Sequence, residues 1–131
     1  MGNPFDALEG HRYLRLTTFR RSGRAVPTPV WFARVGDVLY VVTGRSTGKA
    51  KRIRNYPQVA LAPSDFRGRP KGPDIRATAR LTDQQGGDPA DRALRRKYTW
   101  QYRLFEAIEG RRGAADETVF LELRPSVEKG E

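Results

Sequence analysis

Short apolar segments separated by turn residues leave this 131-residue chain few ways to fold. Apolar segments, some alternating with polar side chains and one, at residues 38–43, nearly continuous, predict strands over residues 13–20, 25–35, 38–43, 58–63, 74–82 and 118–125. The turns at 21–24 and 35–38 are too short for a crossover connection, so neighbouring strands are expected to be antiparallel. Six such strands normally close into a small barrel, because closure removes exposed edges. We therefore predict a mainly β fold, a six-stranded antiparallel barrel with short helices.

The length of the chain is that of one domain. It contains no cysteine, which excludes disulfides and thiolate catalysis. No apolar run approaches the roughly 20 residues of a membrane-spanning helix, and the N-terminus lacks the apolar region of a signal peptide. We expect a single cytoplasmic domain over residues 1–131, with residues 1–10 and 126–131 at its periphery.

The net charge of +10 is concentrated in the first half of the chain. Residues 10–63 contain eleven Lys or Arg and one acid, Asp37, whereas the rest of the chain has fourteen of each sign. Such a surplus suits a nucleic acid or a compact polyanion such as a phosphorylated cofactor. A solvated basic surface is the alternative.

Residues 43–57 follow the most apolar predicted strand and carry five Lys or Arg without an acid. A helix is expected over residues 47–55, with Ser46 or Thr47 as its N-cap. Lys49 and Arg52 are three residues apart and share a face of this helix. Hydroxyl groups, free N–H groups and the positive end of the helix dipole suit a phosphate here. A solvated basic helix would show the same composition.

The same stretch resembles a P-loop but breaks its spacing. Three residues rather than four separate Gly44 from Gly48, and Ala50 replaces the Ser or Thr that should follow Lys49. No acidic residue after an apolar strand stands out as a Mg²⁺ ligand. Hydrolysis of a nucleoside triphosphate is therefore not expected.

Two prolines mark residues 26–30 as an edge strand, since proline cannot donate a ladder hydrogen bond. The unpaired backbone groups there either face a ligand or guard the edge against aggregation. The aromatic side chains of Trp31, Trp100 and Tyr102 offer flat surfaces for a ring, or belong to a core or a dimer interface. His11 is the only histidine, so neither a metal site nor a Ser–His–Asp triad is expected.

Residues 13–20, 26–31, 46–57 and 59–63 follow one another in a pattern that resembles the flavin and deazaflavin oxidoreductases related to pyridoxamine 5′-phosphate oxidase. Within that group the chain is similar to the probable F420-dependent enzymes common in actinobacteria. The resemblance spans about residues 10–124. It implies an FMN-binding type of split β-barrel that forms a homodimer, with F420, or alternatively FMN, bound in grooves between the subunits.

The resemblance also implies a set of cofactor-binding residues. Residues 28–31 would line the tricyclic ring, Ser46, Thr47, Lys49 and Arg52 would hold the phosphate, and Trp100 and Tyr102 would reach the site from the partner subunit. The full expected set is Thr28, Pro29, Val30, Trp31, Thr43, Ser46, Thr47, Lys49, Arg52, Trp100 and Tyr102.

The implied activity is hydride transfer between the cofactor and a small organic acceptor, in which the cofactor carries the chemistry. No side chain need act as an acid or base, and no catalytic residue is assigned. The basic surplus could also meet the polyglutamate tail of F420. A cofactor carrier without turnover and, more remotely, a nucleic-acid-binding barrel remain as alternatives.

Overall fold

The computed structural model describes residues 3–44, 47–82, 92–98 and 118–126. A 3-10 helix covers Pro4–Leu8, the helix α1 covers Gly48–Asn55, and residues 92–98 are also helical. The seven strands are β1 Tyr13–Phe19, β2 Ala25–Val30, β3 Ala33–Val35, β4 Val38–Gly44, β5 Gln58–Ser64, β6 Ile75–Thr82 and β7 Thr118–Pro125. Among the described residues, no helix combines the length and apolar character needed to cross a lipid bilayer.

The strands form one antiparallel sheet in the order β2-β1-β5-β6-β7-β4-β3. The two outermost strands, β2 and β3, are nevertheless separated in sequence only by Trp31 and Phe32. Three peptide units span at most about 11 Å, so the sheet must curl until these two edges approach each other. The prediction of a mainly β antiparallel barrel is confirmed.

The predicted strand over residues 25–35 is two strands, which is why the sheet has seven strands rather than six. Val30 pairs with Leu14 of β1, whereas Ala33 pairs with Tyr40 of β4. Residues 30–33 form a continuous apolar run, so the sequence does not reveal that the chain changes partners at Trp31 and Phe32. The prediction that the Pro-containing part is an edge strand is confirmed, since β2 ends the strand order.

Strand β4 is apolar on both faces, as its sequence indicated. Leu39 and Val41 belong to the main core cluster. Val38 and Tyr40 belong to a second cluster that contains Leu94 and Tyr98 of the helical residues 92–98. Strand β4 therefore lies between the core of the curled sheet on one face and the helical residues 92–98 on the other.

Helix α1 follows β4 and has the cap that the sequence predicted. The side chain of Thr47 accepts a hydrogen bond from the N–H of Ala50 at 3.3 Å. Ala50 and Ile53 are buried and form the inward face of the helix. The side chains of Lys51 and Arg54 are exposed, whereas those of Lys49 and Arg52 are half-buried.

The segment before β1 contributes more to the core than its expected peripheral position indicates. Asn3 caps the 3-10 helix by accepting a hydrogen bond from the N–H of Phe5 at 2.8 Å, while the carboxylate of Asp6 accepts one from the N–H of Asn3 at 3.1 Å. Phe5 and Leu8 are almost completely buried in the main cluster. This short helix therefore closes one side of the core.

Candidate functional site

A pocket of 260 Å³ lies where the chain crosses from β2 to β3, and we call it the Trp31 pocket. It collects four residues that the sequence assigned to a cofactor site from two distant segments: Pro29, Val30, Trp31 and Lys49. The folding that brings them together is the change of strand partner after Val30, which places the end of β2 close to the first turn of α1. The remaining wall consists of Tyr13, Val42 and Phe66.

The ring of Trp31 is held in place by a tyrosine from residues 92–98. Trp31 stacks on Tyr98 with ring centroids 4.8 Å apart and an interplanar angle of 14°. The Tyr98 hydroxyl lies 2.6 Å from the carbonyl oxygen of Arg12 and accepts a hydrogen bond from the N–H of Phe32 at 3.1 Å. Burial raises the pKa of Tyr98 to about 12. The phenol therefore keeps its proton and ties the crossover segment to the chain before β1.

The start of α1 supplies hydroxyl groups and one half-buried ammonium group. The hydroxyl oxygens of Thr43 and Thr47 lie 3.1 Å apart, within hydrogen-bond distance. Burial, and then the positive charge of Arg52, lower the pKa of Lys49. Among the described residues the Lys49 side chain makes no hydrogen bond or ion pair, so its ammonium group is available to an anion in the Trp31 pocket.

Arg52 turns back along α1 rather than into the Trp31 pocket. Its Nε donates a hydrogen bond to Oγ1 of Thr18 at 2.6 Å. A Cβ atom at Gly48 would lie only 2.8 Å from the Arg52 Nη1. Glycine at the first position of the helix thus lets the guanidinium group pack close to the helix N-terminus.

On that side of α1 lies a cleft of 660 Å³, which we call the arginine cleft. Arg20, Arg21 and Arg52 line it, and among the described residues none of the three forms an ion pair. The rings of Phe19 and Tyr56, 6.0 Å apart and almost perpendicular, form an aromatic wall. Burial and the charge of Arg20 lower the pKa of Arg52. Three cations without a carboxylate partner in the part of the chain that the structure describes give this concave space a positive potential.

A third cavity, of 240 Å³, surrounds Lys97, and we call it the Lys97 cavity. Phe5, Leu8 and Phe32 contribute its apolar wall. The ammonium group lies 3.4 Å from the centroid of the Phe32 ring. Burial first, and Arg12 second, lower the Lys97 pKa to about 8.

The residues that the sequence assigned to one site thus lie in different places in the structure. Pro29, Val30, Trp31 and Lys49 line the Trp31 pocket, whereas Arg52 lines the arginine cleft. Thr28 is half-buried in β2 opposite Leu16, and Thr43 is buried beside Thr47. Ser46, Trp100 and Tyr102 lie outside the described residues.

Sequence reasoning missed several residues that the fold brings to these cavities. In the Trp31 pocket they are Tyr13, Val42 and Phe66. In the arginine cleft they are Phe19, Arg20, Arg21, Gly23, Asn55 and Tyr56. The local basic surplus indicated an anion site, but no local pattern connects residues 19–23 with residues 52–56.

The curled antiparallel sheet, with a pocket between an edge strand and the helix after β4, has the architecture of a split β-barrel. Residues 5–127 match the sequence model of the pyridoxamine 5′-phosphate oxidase family. The chain therefore belongs to the pyridoxamine 5′-phosphate oxidase family, and the relationship that the sequence predicted is confirmed. No curated protein matches the chain by sequence.

Solved structures share this fold at low sequence identity. An F420 reductase has a TM-score of 0.64 and 22% identity, with 97% of this chain and 96% of that protein covered. The heme storage protein HutZ from Vibrio cholerae has a TM-score of 0.64 and 16% identity, with 94% and 87% covered. An FMN-binding protein from Nostoc punctiforme, related to pyridoxamine 5′-phosphate oxidase, has a TM-score of 0.58 and 19% identity, with 92% and 73% covered. The names of these three proteins refer to F420, heme and FMN, so the shared fold does not assign a cofactor to this chain.

Proposed function

We propose that this protein is a cytoplasmic oxidoreductase that transfers a hydride between F420 and a small organic acceptor, with FMN as the alternative cofactor. One observation carries the proposal. Lys49 and Arg52 lie about one helical turn apart in α1. Lys49 lines the small, aromatic Trp31 pocket on one side of the helix, and Arg52 lines the large, cationic arginine cleft on the other. A flat ring, a phosphate and an anionic extension could bind in that order along this surface.

The residues of the Trp31 pocket fit a conjugated ring. Val30, Trp31 and Val42 are apolar or aromatic, and Trp31 is held rigid by stacking on Tyr98. Rigid aromatic surfaces bind planar rings with little loss of conformational entropy. A bound F420 or FMN would supply the hydride carrier. The chain would orient the ring against Trp31 and exclude water from its buried side.

The residues at the start of α1 fit a phosphate. Lys49 presents a half-buried ammonium group without a partner among the described residues, and Arg52 places its guanidinium group beside Gly48. Both lie near the positive end of the helix dipole. Charged hydrogen bonds to an anion would offset the burial that lowers the Lys49 pKa, which favours a phosphorylated cofactor.

The arginine cleft favours F420 over FMN. FMN ends at its phosphate, whereas F420 continues beyond it into a tail that carries carboxylates. Arg20 and Arg21 lie beyond Arg52 in the cleft and make no ion pair within the described residues. The carboxylates of the tail would neutralise the positive charges of Arg20 and Arg21. A cofactor that ends at the phosphate would leave these charges uncompensated.

The proposal includes a homodimer, as the family resemblance implies. At 260 Å³ the Trp31 pocket is smaller than the roughly 300–1,000 Å³ of typical small-molecule sites. A second copy could complete its outer wall. Light scattering is expected to give twice the mass of one chain, and a monomer that binds the cofactor with full affinity would contradict the dimer.

Titration of the purified protein with F420, FMN and single-stranded DNA, followed by tryptophan fluorescence, tests the proposal. F420 is expected to quench the fluorescence at the lowest concentration, because Trp31 lines the ring site. Tighter binding of FMN would select the alternative cofactor. Micromolar affinity for DNA with a steep salt dependence, and none for either cofactor, would overturn the proposal in favour of a nucleic-acid-binding barrel.

Turnover distinguishes an enzyme from a cofactor carrier. The reduced cofactor, bound to the protein, is mixed with a panel of small quinones and enones, and its oxidation is followed by absorbance. Oxidation that is faster with the protein than without it supports the oxidoreductase. Tight cofactor binding without any acceleration across the panel would support the carrier.

A further inference from the structure

Phe66 is an exposed apolar side chain at the rim of the Trp31 pocket. Its exposed fraction is 61%, larger than that of Tyr56 or Val35, the other exposed large hydrophobic side chains that the structure describes. It lies in the loop between β5 and β6 and lines the pocket together with Tyr13 and Trp31. Exposed apolar surface at a concave site often marks a place that a ligand covers.

The loop that carries Phe66 is braced by its neighbour in sequence. The Asp65 carboxylate accepts hydrogen bonds from the N–H groups of Arg67 and Arg69, both at 2.9 Å, and from Nε of Arg69 at 2.8 Å. These hydrogen bonds lower the pKa of Asp65. Two backbone hydrogen bonds, from Asp65 to Arg69 and from Gly68 to Asp65, close the turn. Phe66 is therefore held at the tip of an ordered turn.

The same loop packs on the edge strand that forms the opposite part of the pocket. Gly68 has a φ of 86°, and a Cβ atom there would lie 3.3 Å from Cδ of Pro29. Glycine provides both the left-handed conformation and the close approach. Pro29 itself lines the Trp31 pocket. The position of Phe66 is thus coupled to the wall against which a ring would lie.

We infer that Phe66 contacts the hydride acceptor and gives the site a preference for a flat, conjugated acceptor such as a quinone. This inference rests on the proposed function. Val30, which is 9% exposed, and Trp31 form the inner wall that the cofactor ring would take. Phe66 lies at the open rim, where the molecule that enters and leaves in each turnover must bind. The guanidinium group of Arg67 lies 5.3 Å from the centroid of the Phe66 ring, over one of its faces. A planar acceptor can stack on the other face, whereas a puckered one cannot.

The test compares two acceptors in variants of Phe66. Menadione is a flat quinone, which takes up the hydride and one proton to become its hydroquinone. Cyclohexenone is a non-aromatic enone, which takes up the hydride and one proton to become cyclohexanone. In both reactions the reduced cofactor is oxidised by the same two electrons.

Phe66→Leu keeps an apolar side chain but removes the aromatic face. It is expected to lower kcat/KM for menadione about 2- to 13-fold more than for cyclohexenone, the range of an aromatic stacking interaction. Phe66→Trp is expected to retain the preference. Val35→Ala, at an exposed position of β3 that does not line the pocket, is the matched control and should change neither value. Equal effects of Phe66→Leu on both acceptors would overturn the inference.

Two further measurements distinguish a contact of Phe66 with the acceptor from a contact with the cofactor or with a second subunit. If Phe66→Leu weakens cofactor binding as much as it lowers kcat/KM, Phe66 contacts the cofactor ring and the inference is wrong. If the substitution changes the mass in solution, Phe66 belongs to a subunit contact and the inference is also wrong.

Failure of the proposed function would be seen separately, as a wild-type protein that binds neither F420 nor FMN. Menadione is then titrated against the cofactor-free protein by tryptophan fluorescence. Equal dissociation constants for the wild-type protein and Phe66→Leu would overturn the stacking role itself, and weaker binding by the variant would support it.

Discussion

Lys49 is the residue at which the Trp31 pocket and the basic face of α1 meet. Lys49→Ala is expected to weaken binding of the phosphorylated cofactor by about 1.5–3 kcal/mol, or roughly 10- to 150-fold, because a charged hydrogen bond to the phosphate is lost. Fluorescence titration measures the change. Lys51→Ala, two residues away on the exposed side of the same helix, is the control. Equal effects of the two substitutions would remove Lys49 from the site.

Lys97 is expected to make stability depend on pH in the alkaline range. Its pKa is about 8 in the folded protein and 10.5 in its ordinary environment, so the unfolded chain binds more protons between these values. Stability should therefore rise as the pH increases from about 8 to about 10.5, and the contribution should be constant below that window. Arg12 and Glu9 act on Lys97 in opposite directions, and burial is the largest cause.

Urea unfolding at several pH values, in the wild-type protein and in Lys97→Met, measures this contribution. The difference between the two free energies of unfolding should change in favour of the wild-type protein across the window. Parallel pH profiles would show that Lys97 titrates at its ordinary pKa.

At the scale of elements, the hairpin of β1 and β2 and the helix α1 together form the arginine cleft. Arg20 and Arg21 belong to the hairpin, and Arg52 belongs to α1. If the tail of F420 lies there, affinity should increase with tail length and the increase should shrink at high salt, because exposed charges are screened. Equal affinity for short and long tails at two salt concentrations would exclude a tail in the cleft.

Single substitutions in the hairpin refine this test. Arg20→Ala and Arg21→Ala are each expected to reduce the preference for the long tail about two- to fivefold, the range of an exposed ion pair. Arg24→Ala, in the same hairpin but outside the cleft lining, should leave the preference unchanged. An Arg24 effect as large as that of Arg20 would indicate a diffuse field rather than a site.

Much of the element structure could be predicted because it depends on neighbours in sequence. The N-cap at Thr47, the buried pair Ala50 and Ile53, and the turn at Gly36 follow from local hydrogen bonding and periodicity. The division of residues 25–35 could not be predicted, because Trp31 and Phe32 continue an apolar pattern. The exchange of β1 for β4 as pairing partner is decided by how the sheet curls.

At the scale of the whole molecule, the segment before β1 is part of the core. Phe5→Ala should lower the free energy of unfolding by about 3–5 kcal/mol, since the side chain is completely buried in the main cluster. Urea unfolding measures it. Ala7→Ser, at an exposed position of the same 3-10 helix, should cost less than about 0.5 kcal/mol. A Phe5→Ala cost as small as the control would mean that this segment does not pack on the barrel in solution.

The cationic character of the candidate site could be predicted from the sequence, but the layout of its cavities could not. The basic side chains and hydroxyl groups of residues 43–57 indicated an anion site, and Pro27 and Pro29 indicated an edge strand. Phe66, in contrast, lies in a polar loop rich in glycine and proline that has no periodicity. Its place beside Trp31 depends on the turn closed by Asp65 and on the contact of Gly68 with Pro29.

The sequence alone determined the antiparallel strands, the capped basic helix after β4 and the excess of positive charge, since each depends on side chains within a few residues of one another. The tertiary structure alone decided that β2 and β3 part at Trp31, that Lys49 and Arg52 open onto different cavities, and that Phe66 stands at the rim of one of them. The physical reason is that curling of the sheet sets contacts between residues far apart in the chain. Those contacts depend on how the whole sheet packs, and the local propensities of the residues carry no information about that packing.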